Sequence, residues 1–239
     1  MRAVEILMRS LARRLRIIDL LQRLRSLRAL GGAGDSVYEE TFGRCLREAI
    51  GPGDVVWDIG ANVGLYTTRF GKWAGESGSV CAFEPTPRCF AALERAVADR
   101  ALSNCQLFNY AIGRSRSEVR MLLDDDPLAA VHRVTDAPAD GKTITVPMRA
   151  VDELIAEDGL PAPTVVKIDV EGYEDEVLGG MMRLLENGTC GSIFIEVHFG
   201  LLEDRGRMFA PLQIERQLKA AGYRVTWIDS SHLSARRPS

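Results

Sequence analysis

Long hydrophobic runs are missing from these 239 residues. The longest apolar stretches are strand-sized, far short of the roughly 18 residues that mark a membrane span. Metal-binding cysteine patterns are missing too: Cys45, Cys81, Cys89, Cys105 and Cys190 are scattered, with no C-x-x-C pair. An odd count without zinc-like spacing or a recognisable signal peptide predicts reduced thiols and a cytoplasmic chain, at most peripheral to a membrane. Basic excess is also lacking. Lys and Arg total 30 against 33 Asp and Glu, a net charge of −3, which excludes a dedicated nucleic-acid binder. Apolar residues make up 46% and charged residues 26%, and there are no repeats or low-complexity tracts, which excludes disordered, collagenous and coiled-coil chains.

The charge is unevenly placed. Residues 1–30 hold eight Arg and two acids, so the remainder of the chain is distinctly acidic. Val4, Leu7, Leu11, Leu15, Ile18, Leu21 and Leu24 recur at spacings of three and four, with arginines largely between them. That pattern predicts an amphipathic helix over residues 2–30. Such a helix suits packing on the main domain, a homodimer contact, or peripheral attachment to an anionic membrane surface. The glycines that begin at Gly31 predict a hinge, dividing the chain into 1–34 and a main domain over 35–239.

After a helix near 37–50, strand-like and helix-like segments alternate. V-V-W-D-I-G, S-V-C-A-F-E-P, Q-L-F-N-Y-A-I, T-V-V-K-I-D and S-I-F-I-E-V-H-F read as strands, with helices at Leu65–Ala74, 88–100, 173–186 and 211–221. Alternation of this kind means βαβ crossovers and a mostly parallel sheet, here of seven strands. The last two strands are joined too closely for a crossover and must form an antiparallel hairpin at the sheet edge. Residues 113–150 break the alternation with S-E-V-R-M-L-L and K-T-I-T-V-P-M-R, which predict an inserted hairpin or flap; Asp124, Asp125 and Asp126 fall in its loop.

Ligands of open parallel sheets sit at the carboxyl ends of the strands. The first strand ends in Asp58-Ile59-Gly60-Ala61-Asn62-Val63-Gly64, where Gly60 and Gly64 permit a sharp turn and close backbone approach. Glu84 follows the second strand, placed to accept hydrogen bonds from two ribose hydroxyls. A nicotinamide-dinucleotide site wants G-x-G-x-x-G around a pyrophosphate. An acid in the turn would repel that group and attract a cationic amino-acid moiety. S-adenosylmethionine, with its ammonium, sulfonium and ribose, fits better.

D-I-G-A-N-V-G, A-F-E-P-T-P, N-Y-A-I-G, V-K-I-D-V-E-G-Y-E-D-E-V-L-G-G and F-I-E-V-H, in this order from about Asp54 to His198, resemble the FkbM family of S-adenosylmethionine-dependent methyltransferases. The resemblance implies a class I, Rossmann-like methyltransferase fold and O-methylation of a sugar, glycan or natural-product hydroxyl. Within its segments, Asp58, Gly60, Asn62, Gly64, Glu84, Pro85 and Asn109 form the expected cofactor set. The basic helix lies outside it.

Along the fourth strand, Lys167, Asp169 and Glu171 share a side, and at the end of the fifth so do Glu196 and His198. If the two strands are neighbours, these five residues converge on one cleft as the expected catalytic set. His198 or Asp169 would accept the acceptor's proton, since imidazole titrates near neutrality; Lys167 and Glu171 would orient the base or acceptor. Glu196 would hold an acceptor hydroxyl or the histidine ring. Asp, Glu and His together suit a divalent cation as well, but no recognised ligand spacing is present, so no metal is expected. Glu174 could face the cleft or cap its helix, and His132 and His232 read as ordinary satisfied residues. Two alternatives stay open: an NAD(P)- or nucleotide-sugar-using Rossmann enzyme, and a non-catalytic cofactor-binding protein docked by its N-terminal helix.

Overall fold

The computed structural model describes residues 35–122, 133–134 and 143–238. The expected helix at 2–30 and the acids at 124–126 lie outside the described residues. Helix α1 (Asp35–Ala49) leads into β1 (Val55–Ile59), and α2 (Leu65–Ala74), β2 (Ser79–Phe83), α3 (Pro87–Ala98) and β3 (Cys105–Phe108) continue the alternation. Pro87 opens α3, where a missing N–H costs nothing. Further on come β8 (Val165–Ile168), β9 (Ser192–Glu196), α8 (Ala210–Ala220), β10 (Arg224–Trp227) and β11 (His232–Arg236). These strands form one seven-stranded sheet, in the order β3-β2-β1-β8-β9-β11-β10. All neighbours from β3 to β9 are parallel, and β11 runs antiparallel to both β9 and β10. The expected mostly parallel sheet and closing hairpin are thus present. The order reverses between β1 and β8, where a ligand crevice opens.

Strand alternation divides the core. Val56, Val80, Val165 and Phe194 face α1 and α2, packing on Phe42, Leu46 and Phe70. Trp57, Cys81, Val166 and Ile195 point the opposite way, toward a larger core that includes Leu184, Ile214 and Leu218. Both faces of the central strands are covered, which is why these segments read as unbroken apolar runs.

The inserted segment forms a second sheet. Strands β5 (Ser117–Leu122) and β7 (Thr143–Arg149) pair antiparallel, flanked by β4 (Ala111–Ile112) and β6 (Arg133–Val134). The expected third strand is therefore two. Cys105–Phe108 stays in the main sheet, whereas Ala111–Ile112 pairs with β7. Asn109 marks the break, its Nδ2 donating to the carbonyls of Glu84 and Pro85.

The expected helix at 173–186 is also two, α5 (Glu174–Gly179) and α6 (Met182–Asn187). Gly180 lies against the backbone of the second sheet: a Cβ there would sit 2.0 Å from the Gly113 carbonyl oxygen. That approach fixes the break. Two six-residue helices, α4 (Val151–Ala156) and α7 (Phe199–Asp204), are too short to show a helical period in sequence. Among the described residues, no helix is long and apolar enough to cross a membrane.

A charged pair is fully enclosed within the sheet. Asp58 and Lys167 are register partners on β1 and β8, 0% and 2% exposed. Lys167 Nζ lies 3.3 Å from Asp58 Oδ1 and 3.3 Å from Asp169 Oδ2, and donates to the Gly60 carbonyl at 3.4 Å. Asp58 Oδ2 accepts from Thr67 Oγ1 of α2 at 2.6 Å. Breaking such a pair strands a buried charge, which costs about 3–5 kcal/mol. Lys167→Met is therefore expected to lower the urea-unfolding free energy by about that amount, and Lys167→Met with Asp58→Asn by distinctly less. Equal losses in the single and double variants would show that the stranded charge is not the cause.

Candidate active site

Where β1 gives way to α2, the chain needs a sharp turn against the end of β8. Gly60 supplies it with φ of 81°; a Cβ at this position would lie 1.8 Å from the Asp169 carbonyl oxygen. The Gly60 and Ala61 N–H groups donate to the Phe83 carbonyl, and the Asp169 N–H donates to the Ile59 carbonyl, so the three strand ends are laced together. Asn62, also left-handed at φ 51°, donates its N–H to Glu84 Oε2 at 2.9 Å. Glu84 Oε1 accepts from the Thr86 N–H and hydroxyl at 2.9 and 2.6 Å. The Glu84 carboxylate is thus held in one orientation at 6% exposure.

These ends border a cleft that opens to solvent. Gly60, Asn62, Glu84 and Pro85 line it, as expected of a cofactor site, and so do Asp169 and Glu171. Its apolar wall comes from Ile59, Phe83, Ile112 and Met121, with Cys89, Tyr110 and Tyr173 nearby. Phe83 is stacked on Phe108, with ring centroids 5.1 Å apart. Burial pushes the Tyr110 hydroxyl up to about 12, so it stays protonated.

Three expected cofactor residues lie elsewhere. Asp58 is beneath the turn, committed to Lys167 and Thr67, and does not line the cleft. The acid expected to draw in a cationic ligand instead holds the strands together. Gly64 is the N-cap of α2, and Asn109 is an exposed clamp on the Glu84–Pro85 backbone. Met121, Ile112 and Tyr110 were missed because the second sheet brings them in, and nothing local in their sequence signals it. Tyr173, directly after the V-E-G segment, was within reach by adjacency.

Next to the cleft, the expected catalytic residues do converge. His198 follows β9, and its Nδ1 lies 2.7 Å from Glu174 Oε1. Its Nε2 lies 3.2 Å from Glu171 Oε2, 3.8 Å from Asp169 Oδ1 and 3.8 Å from Glu196 Oε1. Glu174 is fully buried and also accepts the Gly172 N–H, so it serves the histidine and the turn together. Glu171 has φ of 51°, uncommon for a residue with a side chain and frequent at functional sites. Lys167 does not line the cleft; it reaches the site through Asp169 Oδ2. His232, expected to be an ordinary satisfied residue, sits directly across β11 from Glu196. It bonds Asp229 Oδ2 through Nδ1 at 2.7 Å and faces Glu196 Oε2 through Nε2 at 3.5 Å.

The carboxylates dominate the electrostatics. Burial works against charge on His198, but the hydrogen bond and charge of Glu174, then Glu171 and Asp169, raise its pKa to about 10. The expectation of an imidazole titrating near neutrality is corrected: surrounded by these acids it carries a proton and has no lone pair to offer. Burial, reinforced by Asp169, Glu196 and Glu174 against the opposing pull of His198, raises Glu171 to about 7. Burial works against charge on Glu196 as well, yet His232 and His198 hold its pKa below the usual carboxylate range. Asp169, Glu196 and His198 bring carboxylate oxygens and a ring nitrogen within 4.8 Å of one another.

The cleft suits S-adenosylmethionine. The Asn62 side-chain oxygen is enclosed and without a hydrogen-bond partner, an acceptor left for a donor from a ligand. The oriented Glu84 carboxylate, the apolar wall and the close backbone at Gly60 match a ribose, an adenine and an amino-acid tail.

Residues 58–225 match the family model of the methyltransferase FkbM domain. The chain is 31% identical over 186 residues to the hexuronic acid methyltransferase AglP of Haloferax volcanii, covering 77% of this chain and 69% of that protein. It is 31% identical over 182 residues to the 31-O-demethyl-FK506 methyltransferase FkbM of Streptomyces tacrolimicus, covering 63% and 69%. Among solved structures, the methyltransferase FkbM from Methylobacillus flagellatus superposes with a TM-score of 0.54 at 17% identity, over 77% of this chain and 43% of that one. A putative methyltransferase from Streptococcus mutans in complex with SAH superposes with a TM-score of 0.51 at 11% identity, over 81% and 93%. Family, fold and cleft agree, and the dinucleotide and non-catalytic alternatives fall away: the chain belongs to the FkbM methyltransferase family and is an S-adenosylmethionine-dependent methyltransferase.

Proposed function

We propose that this enzyme methylates a hydroxyl oxygen of a sugar, glycan or natural-product acceptor. The observation that carries the reading is the group of acids around His198, with Asp169 and Glu171 lining the same cleft as Glu84. A hydroxyl must give up its proton as its oxygen gains a methyl, and carboxylates at that position suit the task. The names of two relatives, one for a hexuronic acid and one for 31-O-demethyl-FK506, support an oxygen-rich acceptor.

When bound, S-adenosylmethionine supplies a methyl group on a sulfonium that leaves readily as a thioether. Glu84 would hold its ribose, Asn62 and the Gly60 turn its amino-acid end, and Phe83, Ile112 and Met121 its adenine. The protein's remaining tasks are to align the acceptor and remove its proton. Asp169 takes that proton, because His198 is already charged. Lys167 holds the far oxygen of Asp169, turning the near one toward His198 and the cleft. Glu196 and the protonated His198 orient the acceptor's oxygens.

Two outcomes follow. Glu84→Ala weakens binding of S-adenosylhomocysteine by about 2–3 kcal/mol in calorimetry, the scale of charged hydrogen bonds; unchanged affinity in a folded variant moves the cofactor elsewhere. Asp169→Asn lowers the rate of radiolabelled methyl transfer to hydroxyl acceptors by about 10²–10⁴-fold, with S-adenosylhomocysteine still bound. A panel of uronic acids, neutral sugars and macrolides identifies the acceptor. Transfer to nitrogen or carbon acceptors and to no hydroxyl would overturn the reading.

A further inference from the structure

We infer that His232 is a positioning residue for methyl transfer: from the closing hairpin it holds the Glu196 carboxylate ionised and in one orientation beside the cleft. The inference rests on the reading that Glu196 orients the acceptor's oxygens. Residue 232 lies outside the stretch that matches the family model, 58–225.

His232 opens β11 and is the register partner of Glu196, which closes β9. Directly opposed residues of an antiparallel pair present their side chains on one face. The turn before β11 is tied to the end of β9, since the Val197 N–H donates to the Ser231 carbonyl at 2.8 Å. Asp229, in that turn, is locked by the local backbone: its Oδ1 accepts from the N–H groups of Ser231 and His232 at 2.8 and 2.9 Å. Its Oδ2 lies 2.7 Å from His232 Nδ1. The ring also packs on Phe42 of α1, with centroids 4.2 Å apart. At 8% exposure, the imidazole has little freedom to turn. Its Nε2 is thereby aimed at Glu196 Oε2, 3.5 Å away. The other oxygen of that carboxylate, Oε1, faces His198 Nε2 at 3.8 Å.

This geometry demands a charged ring. With the Nδ1 proton given to Asp229, a neutral imidazole would turn a lone pair on Glu196; only the imidazolium donates at both nitrogens. Burial opposes that charge, but Glu196 and then Asp229 raise the ring's pKa above the ordinary histidine value. In return, His232 leads His198 and Lys167 in holding Glu196 ionised against its own burial. Asp169 and Glu171, which share His198 with Glu196, push toward protonation instead, as like charges do. A protonated Glu196 would donate where the ionised one accepts, and the acceptor's hydroxyls would lose a fixed direction.

His232→Phe keeps a ring against Phe42 and removes both nitrogens, whereas His232→Gln keeps a neutral donor in place of Nε2. With a hydroxyl acceptor, His232→Phe is expected to raise the acceptor KM about tenfold, the scale of one charged hydrogen bond, with a smaller change in kcat. His232→Gln recovers part of that loss. In a Glu196→Gln background, His232→Phe adds nothing further. The chain has three histidines, so imidazole NMR reads the contact directly. His232 titrates above the ordinary histidine range, and Glu196→Gln brings it down. Native affinity for S-adenosylhomocysteine shows that each variant is folded; where His232→Phe does not fold, the titrations of the native chain and of Glu196→Gln decide. An unchanged acceptor KM in His232→Phe, an equal loss in the Glu196→Gln background, or a His232 titration that Glu196→Gln leaves unmoved overturns the inference. A His232 titration coupled to Glu196, in an enzyme that methylates no hydroxyl, refutes the acceptor reading and leaves His232 as the residue that sets Glu196. Hydroxyl methylation at the native KM in His232→Phe does the reverse.

Discussion

A buried ammonium group organises this protein. Lys167 sits in the middle of the sheet, and its charge requires partners that can be reached only if β1 and β8 are adjacent and in register. Asp58 supplies one, the Gly60 carbonyl another and Asp169 the third. Those three belong to the first strand, to the turn that closes on the cofactor cleft, and to the end of the strand that carries the acids. A single cation therefore fixes the spacing between the two halves of the active site. A hydrophobic side chain of similar size would fill the space but would fix no register.

The turn at Gly60 follows from that constraint. With Asp169 drawn toward Lys167, its backbone carbonyl comes so near Gly60 that any side chain is excluded. Beyond the turn, the Asn62 N–H reaches Glu84, so the third strand end joins the same network. Cofactor recognition and acid placement are consequences of one hydrogen-bonded ring of strand termini. The second sheet then closes the cleft from above with Met121 and Ile112, side chains that contribute shape and apolar area but little orientation.

Around His198 the balance runs differently. Four carboxylates outnumber the cations available to them, and the histidine meets the excess by staying protonated. The sequence offers D-x-E-x-x-E and E-x-H as separate short patterns, and each is compatible with a neutral base. Only when β8 and β9 lie side by side do the charges add. An imidazole with a neutral-range pKa in isolation becomes a cation, and the proton-accepting task passes to a carboxylate.

Much of the architecture was legible from the chain. Strand-length apolar runs separated by helical periods require crossovers, and crossovers require a parallel sheet with its ligand at the strand ends. Gly60, Asn62, Glu84 and Pro85 stand where those rules put them, and Asp169, Glu171, Glu196 and His198 converge because β8 and β9 are parallel neighbours whose carboxyl ends lie side by side. The orientation of Asp58 was not legible, since a carboxylate at the end of a strand can face a ligand or an internal lysine with the same local sequence. Nor were the breaks at Asn109 and Gly180, which answer contacts with residues far along the chain. Local sequence determines period and turn chemistry through forces that act over a few residues. Burial, charge balance and the pairing of distant groups depend on what packing brings within a few ångströms, and those the tertiary structure decided.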